Sequence, residues 1–244
     1  MSGAVEGGGS DSFAALEGGL VVSTQAPEDS PLRDTAHMVA MARAAEAGGA
    51  TGIRAEGGPD IAAIRAAVAL PIIGLRKRRV PGSEVYITPE MADAHEPAAA
   101  GADILAVDAT LRPRPGGVHA GDFIAAVSRE LPQPVLADVD SVEAGIAARE
   151  AGAAAVATTL AGYTGPAPPP AEPDLELVAR LAAELDCPVL AEGRYGTPDL
   201  VRAALEAGAF AVVVGAAITD PLALTRRFAE AAAAGVRRTS GAPS

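Results

Sequence analysis

The sequence predicts an α/β protein, a single (β/α)8 TIM barrel. Three observations predict it. The chain has 244 residues, close to the roughly 250 of one such barrel. Eight short, continuously apolar runs alternate with longer Ala-rich segments, and continuous runs suit parallel strands covered on both faces. Four segments, at 46–50, 100–102, 150–153 and 206–209, repeat an Ala-Gly-Ala or Ala-Gly-Gly-Ala close ahead of a strand. Glycine there allows the left-handed turn that ends a helix.

The elements follow in order. Strand one is the run at 20–23, and a helix begins near Thr35. Strand two, 50–54, follows the first Gly turn, with a helix from near Pro59. Strand three is 72–75, with a helix expected near Thr88, and strand four is 104–108, with a helix from near Gly121. Strand five, 135–138, leads to Ser141, a suitable N-cap. Strand six, 154–158, is followed by 165–173, which holds five prolines and is too stiff for a helix. It reads as a surface loop over the barrel mouth, before a helix near Asp174. Strand seven, 189–192, precedes Thr197-Pro198, an N-cap followed by the favoured N1 proline. Strand eight, 211–214, precedes a helix near Pro221. The barrel domain is placed at 12–234, between a mobile Gly-rich tail at 1–11 and a disordered tail at 235–244.

Composition narrows the function. Hydrophobic residues make up 49%, too many for a mostly disordered chain. Aromatics are only 3% and Trp is absent, so Ala, Val, Leu and Ile must build the core. A net charge of −12 opposes nucleic-acid binding. No apolar stretch approaches the roughly 20 residues of a membrane span, and the N-terminus lacks a signal-peptide pattern. The single cysteine, Cys187, is read as a small core residue. A cytoplasmic location is the expectation. His37, His95 and His119 are far apart, and no nucleotide-binding or metal-binding spacing is present. The expectation is therefore chemistry without metal or cofactor.

Barrel chemistry sits at the C-terminal ends of the strands. There the sequence places Gln25, Arg54, Lys77, Asp108, Asp138, Thr158, Thr159, Glu192, Arg194 and Gly215. Lys77 is singled out because the chain has 18 arginines and one lysine. Only lysine can deliver a neutral amine near neutral pH, and the flanking Arg76, Arg78 and Arg79 favour that form. Gly193 after strand seven, with Gly215 and Ala216 after strand eight, matches the usual phosphate cradle of barrels.

These segments, in this order and spacing, resemble the N-acetylmannosamine-6-phosphate 2-epimerases of sialic-acid catabolism. The resemblance covers about residues 16–230. It rests on stretches such as Val22-Ser23-Thr24-Gln25, Gly52-Ile53-Arg54-Ala55, Glu84-Val85-Tyr86-Ile87-Thr88-Pro89, Asp108-Ala109-Thr110, Thr158-Thr159-Leu160-Ala161-Gly162-Tyr163, Ala191-Glu192-Gly193-Arg194 and Val213-Val214-Gly215. It implies a metal-free epimerase in which Lys77 transfers the proton and Glu192 assists. Gln25, Arg54, Tyr86, Asp138, Thr159 and Arg194 would contact the sugar. Gly193, Gly215 and Ala216 would hold its phosphate, with charge from Arg194, Arg226 or Arg227. A homodimer is implied too.

The chain departs from the family pattern at Thr24, where Cys is usual, and at Glu56, where Asn or Gln is usual. It departs again in the 165–173 loop and at Asp220, where an Arg that looks like a phosphate contact is usual. Asp220 keeps open a related barrel isomerase acting on another or unphosphorylated sugar. A non-catalytic sugar-binding barrel is the other alternative, which the lone lysine opposes.

Overall fold

A computed structural model describes residues 12–239. The expected N-terminal tail at 1–11 lies outside them, as do 240–244. Eight parallel strands close on themselves in sequence order, β1 through β8, with β8 pairing back to β1. They are β1 Leu20–Thr24, β2 Gly52–Glu56, β3 Ile72–Leu75, β4 Ile104–Asp108, β5 Val135–Asp138, β6 Ala155–Ala157, β7 Val189–Glu192 and β8 Ala211–Val214. The helices α1 to α7 are Thr35–Ala47, Gly58–Arg65, Met91–Ala99, Ala120–Glu130, Val142–Glu150, Leu175–Glu184 and Pro198–Glu206. A short α8, Ala216–Thr219, precedes α9, Pro221–Thr239.

Alternating side chains give the barrel two apolar layers. Val21, Ile73, Leu75, Ile104, Ala106, Leu136, Ala155, Leu190 and Val213 fill the interior. Their neighbours, among them Ile53, Ile72, Leu105, Val135 and Val156, face outward and meet the helices through Met38, Ile61, Ile64, Ile124 and Leu181. Both faces of each strand are therefore buried, which is why the runs are continuous. Phe13 and Leu16 join the interior cluster, and Gly18 N–H donates to the Phe210 carbonyl.

Local signals set the helix ends. Asp34, Ser141, Asp174 and Thr197 cap α1, α5, α6 and α7 through their side-chain oxygens. The repeated Gly turns hold positive φ at Gly49, Gly101, Gly152 and Gly208, as the sequence pattern requires. Gly74 serves a different need. A Cβ there would lie 2.5 Å from that of Ala102, so only glycine lets β3 pack this closely.

Two expectations are corrected. The helix expected near Thr88 begins instead at Met91. Residues 77–88 first double back, with Lys77 bridging Ile87 and Arg78 N–H donating to the Tyr86 carbonyl. Thr88 ends that return with φ 48 and donates its hydroxyl to the Ala106 carbonyl at 2.7 Å. The tail expected at 235–244 is helical as far as Thr239. A preceding run of four alanines favours the helix, and the single Gly235 costs only about 1 kcal/mol.

Candidate active site

The two-residue period of a barrel strand carries the inward row beyond the apolar core to the mouth. Leu75 leads to Lys77, Leu136 to Asp138, Ala157 to Thr159 and Leu190 to Glu192, each leading residue lying in the interior cluster. Arg54, between outward Ile53 and Ala55, takes the same inward position on β2. Apolar residues thus build the barrel, and the next inward position of these strands carries polar chemistry.

The mouth is a cavity with two lobes. The first, about 610 Å³, is bordered by Gln25, Arg54, Glu56, Lys77 and Asp220. The second, about 700 Å³, is bordered by Gly193, Arg194, Tyr195, Glu172 and Arg227. Tyr86, Thr159, Glu192, Gly215 and Ala216 border both.

Arg54 is the centre of the floor. Its Nη2 lies 2.6 Å from Asp138 Oδ2, and its Nη1 lies 3.1 Å from Asp138 Oδ1 and 3.1 Å from Glu192 Oε2. The Thr159 hydroxyl lies 2.6 Å from Asp138 Oδ1 and 3.2 Å from Glu192 Oε2. The Thr158 hydroxyl pairs with the backbone of Glu192, which fixes the end of β7. Burial works against the Arg54 cation, but Asp138 and Glu192 outweigh it, so the guanidinium stays protonated. Burial also pushes the Glu192 carboxyl up to about 6, against the pull of Arg54.

Lys77 shares this cavity. Desolvation by the surrounding walls lowers its proton affinity, and Arg54 lowers it further, while Glu192, Glu56 and Asp138 pull it back. The net direction is down. Lys77 still presents surface to the open mouth, so this desolvation is incomplete and deepens when a sugar covers the amine. Tyr86 lines the cavity on the returning strand, with Arg79 5.3 Å above its ring.

Two expected sugar contacts sit differently from the expectation. Asp138 is fully buried and borders neither lobe; Arg54 and Thr159 occupy its oxygens. It lies under the floor and orients Arg54. Arg194 borders the second lobe, but its Nη1 donates to Ala161 O at 2.6 Å and its Nε to Glu172 O at 2.8 Å. The guanidinium also lies 5.1 Å from the Tyr163 ring. Arg194 thereby ties Glu172, near the end of the proline-rich loop, to Ala161 ahead of that loop, and Ala171 and Glu172 reach the second lobe. Asp108 borders neither lobe and pairs with Arg112 at 3.0 Å.

Among the expected phosphate contacts, Gly193, Gly215 and Ala216 all line the cavity. Asp220 lines the first lobe, and its Oδ1 accepts the Ala223 N–H at 2.9 Å. It caps α9, which offsets its negative charge with the positive end of a helix. Arg226 borders neither lobe, whereas Arg227 borders the second.

Sequence reading missed Arg33 and the part played by Glu56, and gave Arg76 only as a charge flanking Lys77; all three border the first lobe. The two-residue period beyond Arg54 marks Glu56. Nothing in the sequence marks Arg33, which reaches the mouth from a loop. Among the described residues, no group of three or more His, Cys, Asp and Glu could hold a metal ion. His37 and His95 are exposed and pair with Asp34 and Glu130. Cys187 is partly buried against the outer layer.

Removing a proton beside a carbonyl takes an amine that can be neutral and a fixed cation to receive the charge left behind. This mouth supplies both from rigid strand ends, and the chain is a barrel enzyme of the isomerase class. The comparisons with known proteins are specific. A family model described as "Putative N-acetylmannosamine-6-phosphate epimerase" matches residues 38–234. Relatives named "Putative N-acetylmannosamine-6-phosphate 2-epimerase" include one from Caldanaerobacter subterraneus, 48% identical over 89% of this chain and 92% of its own. One from Cutibacterium acnes is 46% identical over 90% and 96%. The solved N-acetylmannosamine-6-phosphate 2-epimerase of Clostridium perfringens superposes with a TM-score of 0.85 at 40% identity, over 89% of this chain and 95% of that one. The chain belongs to the N-acetylmannosamine-6-phosphate epimerase family. A thiamine phosphate pyrophosphorylase from Pyrococcus furiosus, at 19% identity and a TM-score of 0.56, shares the fold alone.

Proposed function

We propose that the enzyme interconverts N-acetylmannosamine 6-phosphate and N-acetylglucosamine 6-phosphate, with Lys77 as the proton-transfer residue. The observation that carries this is the position of the chain's one lysine, beside Arg54 and Glu192 in a cavity that lowers its proton affinity.

In the open-chain sugar the C1 carbonyl acidifies the C2–H bond. Neutral Lys77 takes that proton, the C2–H bonding pair becomes the C1–C2 double bond, and the carbonyl pair moves onto O1 to give an enolate. Arg54, held by Asp138 and Glu192, stabilises the oxyanion. Returning a proton to the opposite face inverts C2. Glu192 orients the amine or assists ring opening. The Gln25 Oε1 atom is buried in the wall without a hydrogen-bond partner. A turn of the Gln25 side chain would bring this acceptor to the acetamido N–H of the substrate, since an unmet buried acceptor is costly.

The phosphate is assigned to the second lobe, on backbone N–H groups of Gly193, Gly215 and Ala216. Arg227 supplies the charge, since Arg194 is committed to the proline-rich loop. Asp220 on the cavity wall favours a second reading, in which the sugar carries no phosphate. A coupled assay for N-acetylglucosamine 6-phosphate formation, run beside the unphosphorylated sugar, separates the two. Equal turnover of both sugars would overturn the first.

No described helix is long and apolar enough to cross a membrane. We infer a cytoplasmic location, since a phosphorylated sugar does not cross membranes unaided, and no nucleic-acid partner, given the charge of −12. Residues 225–234 of α9 are exposed throughout, Phe228 at 75%. We propose that a second copy of the chain covers this exposed helix, in a homodimer.

A further inference from the structure

Glu56 ends β2 opposite Leu75 of β3, so it lies beside the point where the chain runs on to Arg76 and Lys77. Its side chain is only 10% exposed, and both its oxygens are used. Oε2 accepts from Arg33 Nη2 at 2.9 Å. Oε1 accepts from Arg76 Nη1 at 3.0 Å and from the Lys77 N–H at 3.3 Å.

The network runs outward from there. Arg33 Nη1 continues to Asp60 at 2.9 Å, and Asp60 also takes the Thr35 hydroxyl. Arg76 Nε lies 3.3 Å from Glu96, which in turn accepts the Gly58 N–H. One carboxylate thus joins the segment between β1 and α1, the end of β2, and the backbone of Lys77.

We propose that Glu56 is a positioning residue for Lys77: it fixes the lysine's backbone, counters its charge, and ties the segment carrying Arg33 to it. This rests on the reading of Lys77 as the base. A glutamine here has one acceptor oxygen for three donors, and its amide N–H groups would face a guanidinium. The carboxylate alone suits all three.

The charges facing Lys77 set the sign of its effect. Arg54 on β2 disfavours the ammonium, while Arg76 is paired with Glu56 and Glu96 and Arg78 with Glu90 and Asp93. Glu192 on β7, Asp138 on β5 and Glu56 favour the ammonium. Glu28 and Asp220 across the mouth act in the same sense as Glu56, and Tyr86 is neutral until high pH, since burial raises its pKa. Removing the charge of Glu56 therefore makes Lys77 easier to deprotonate.

The chain's single lysine makes this measurable without assignment. Protein labelled with ¹³C at lysine Cε gives one side-chain signal, whose shift is followed against pH. We expect the Lys77 midpoint in Glu56→Gln to fall by about half a pH unit or more, and Glu56→Asp to restore it towards wild type. Arg33→Gln leaves Glu56 less neutralised and should raise the midpoint, which keeps the test alive if Glu56→Gln fails to fold. An unmoved midpoint in Glu56→Gln, or a fall in Arg33→Gln, overturns the role of Glu56 and leaves the epimerase reading intact. A Lys77→Arg enzyme with wild-type turnover would instead overturn Lys77 as base and leave the titration standing.

Discussion

Arg54 and Asp138 meet edge to edge inside the barrel, with Nη2–Oδ2 at 2.6 Å and neither side chain more than 1% exposed. The pair is the foundation of the site, because Arg54 passes its remaining contact to Glu192. Asp138→Ala leaves a buried guanidinium with only Glu192 opposite it. Breaking such a pair typically costs about 3–5 kcal/mol. Urea unfolding should show a loss at the lower end of that range, together with a fall in kcat. A loss below about 0.5 kcal/mol, the scale of an ordinary surface substitution, would show that the pair is not structural.

Glu192 is expected to govern the acid side of the pH profile. Burial holds its carboxyl at about 6, above the ordinary 4.5, despite Arg54. If the ionised form orients Lys77, kcat/KM should rise with pH through about 6. Glu192→Gln should lower kcat roughly 10²–10⁴-fold and remove that limb. A variant that keeps a limb at the same pH assigns it to another group.

Arg194 holds the proline-rich loop through the Ala161 and Glu172 carbonyls. Arg194→Ala should free the loop, raise KM and speed proteolytic cutting within 165–173, with a smaller effect on kcat. A variant with an unchanged cutting rate and a collapsed kcat would return Arg194 to direct contact with the reacting sugar.

On the proposed assignment of the phosphate, Asp220 and Arg227 should set the response to it. Asp220→Arg should tighten KM for the phosphorylated sugar. The same change removes the cap that accepts Ala223 N–H, at a cost of about 1 kcal/mol. A lower Tm beside a lower KM is therefore the expected pattern. Arg227→Ala should raise KM for the phosphorylated sugar and leave the unphosphorylated one unaffected. Equal effects on both sugars would remove the phosphate from this lobe.

Much of the fold was legible. Strands β3, β4, β5, β7 and β8 match the apolar runs to the residue, and a Pro or Asp marks the start of the first four. β2 was read two residues early, since its limits come from pairing with Val21 and Leu75, and Glu56 does not look apolar. The return of residues 83–88 beneath Lys77 leaves no apolar periodicity to find. The site positions were legible by the two-residue period, but their roles were less so. Lys77, Glu192 and Thr159 all reach the cavity as expected. The burial of Asp138 and the capture of Arg194 by its loop depend on side-chain direction, which sequence spacing does not give.

The central claim is that Lys77 moves the C2 proton. Its most direct test is epimerisation in D₂O, with the product analysed at C2 by NMR, for wild type and Lys77→Arg. The account predicts solvent deuterium at C2 of the wild-type product, and neither turnover nor exchange with Lys77→Arg, because a guanidinium does not accept the proton. Wild-type product free of solvent deuterium, or a Lys77→Arg variant with wild-type kcat, would contradict it.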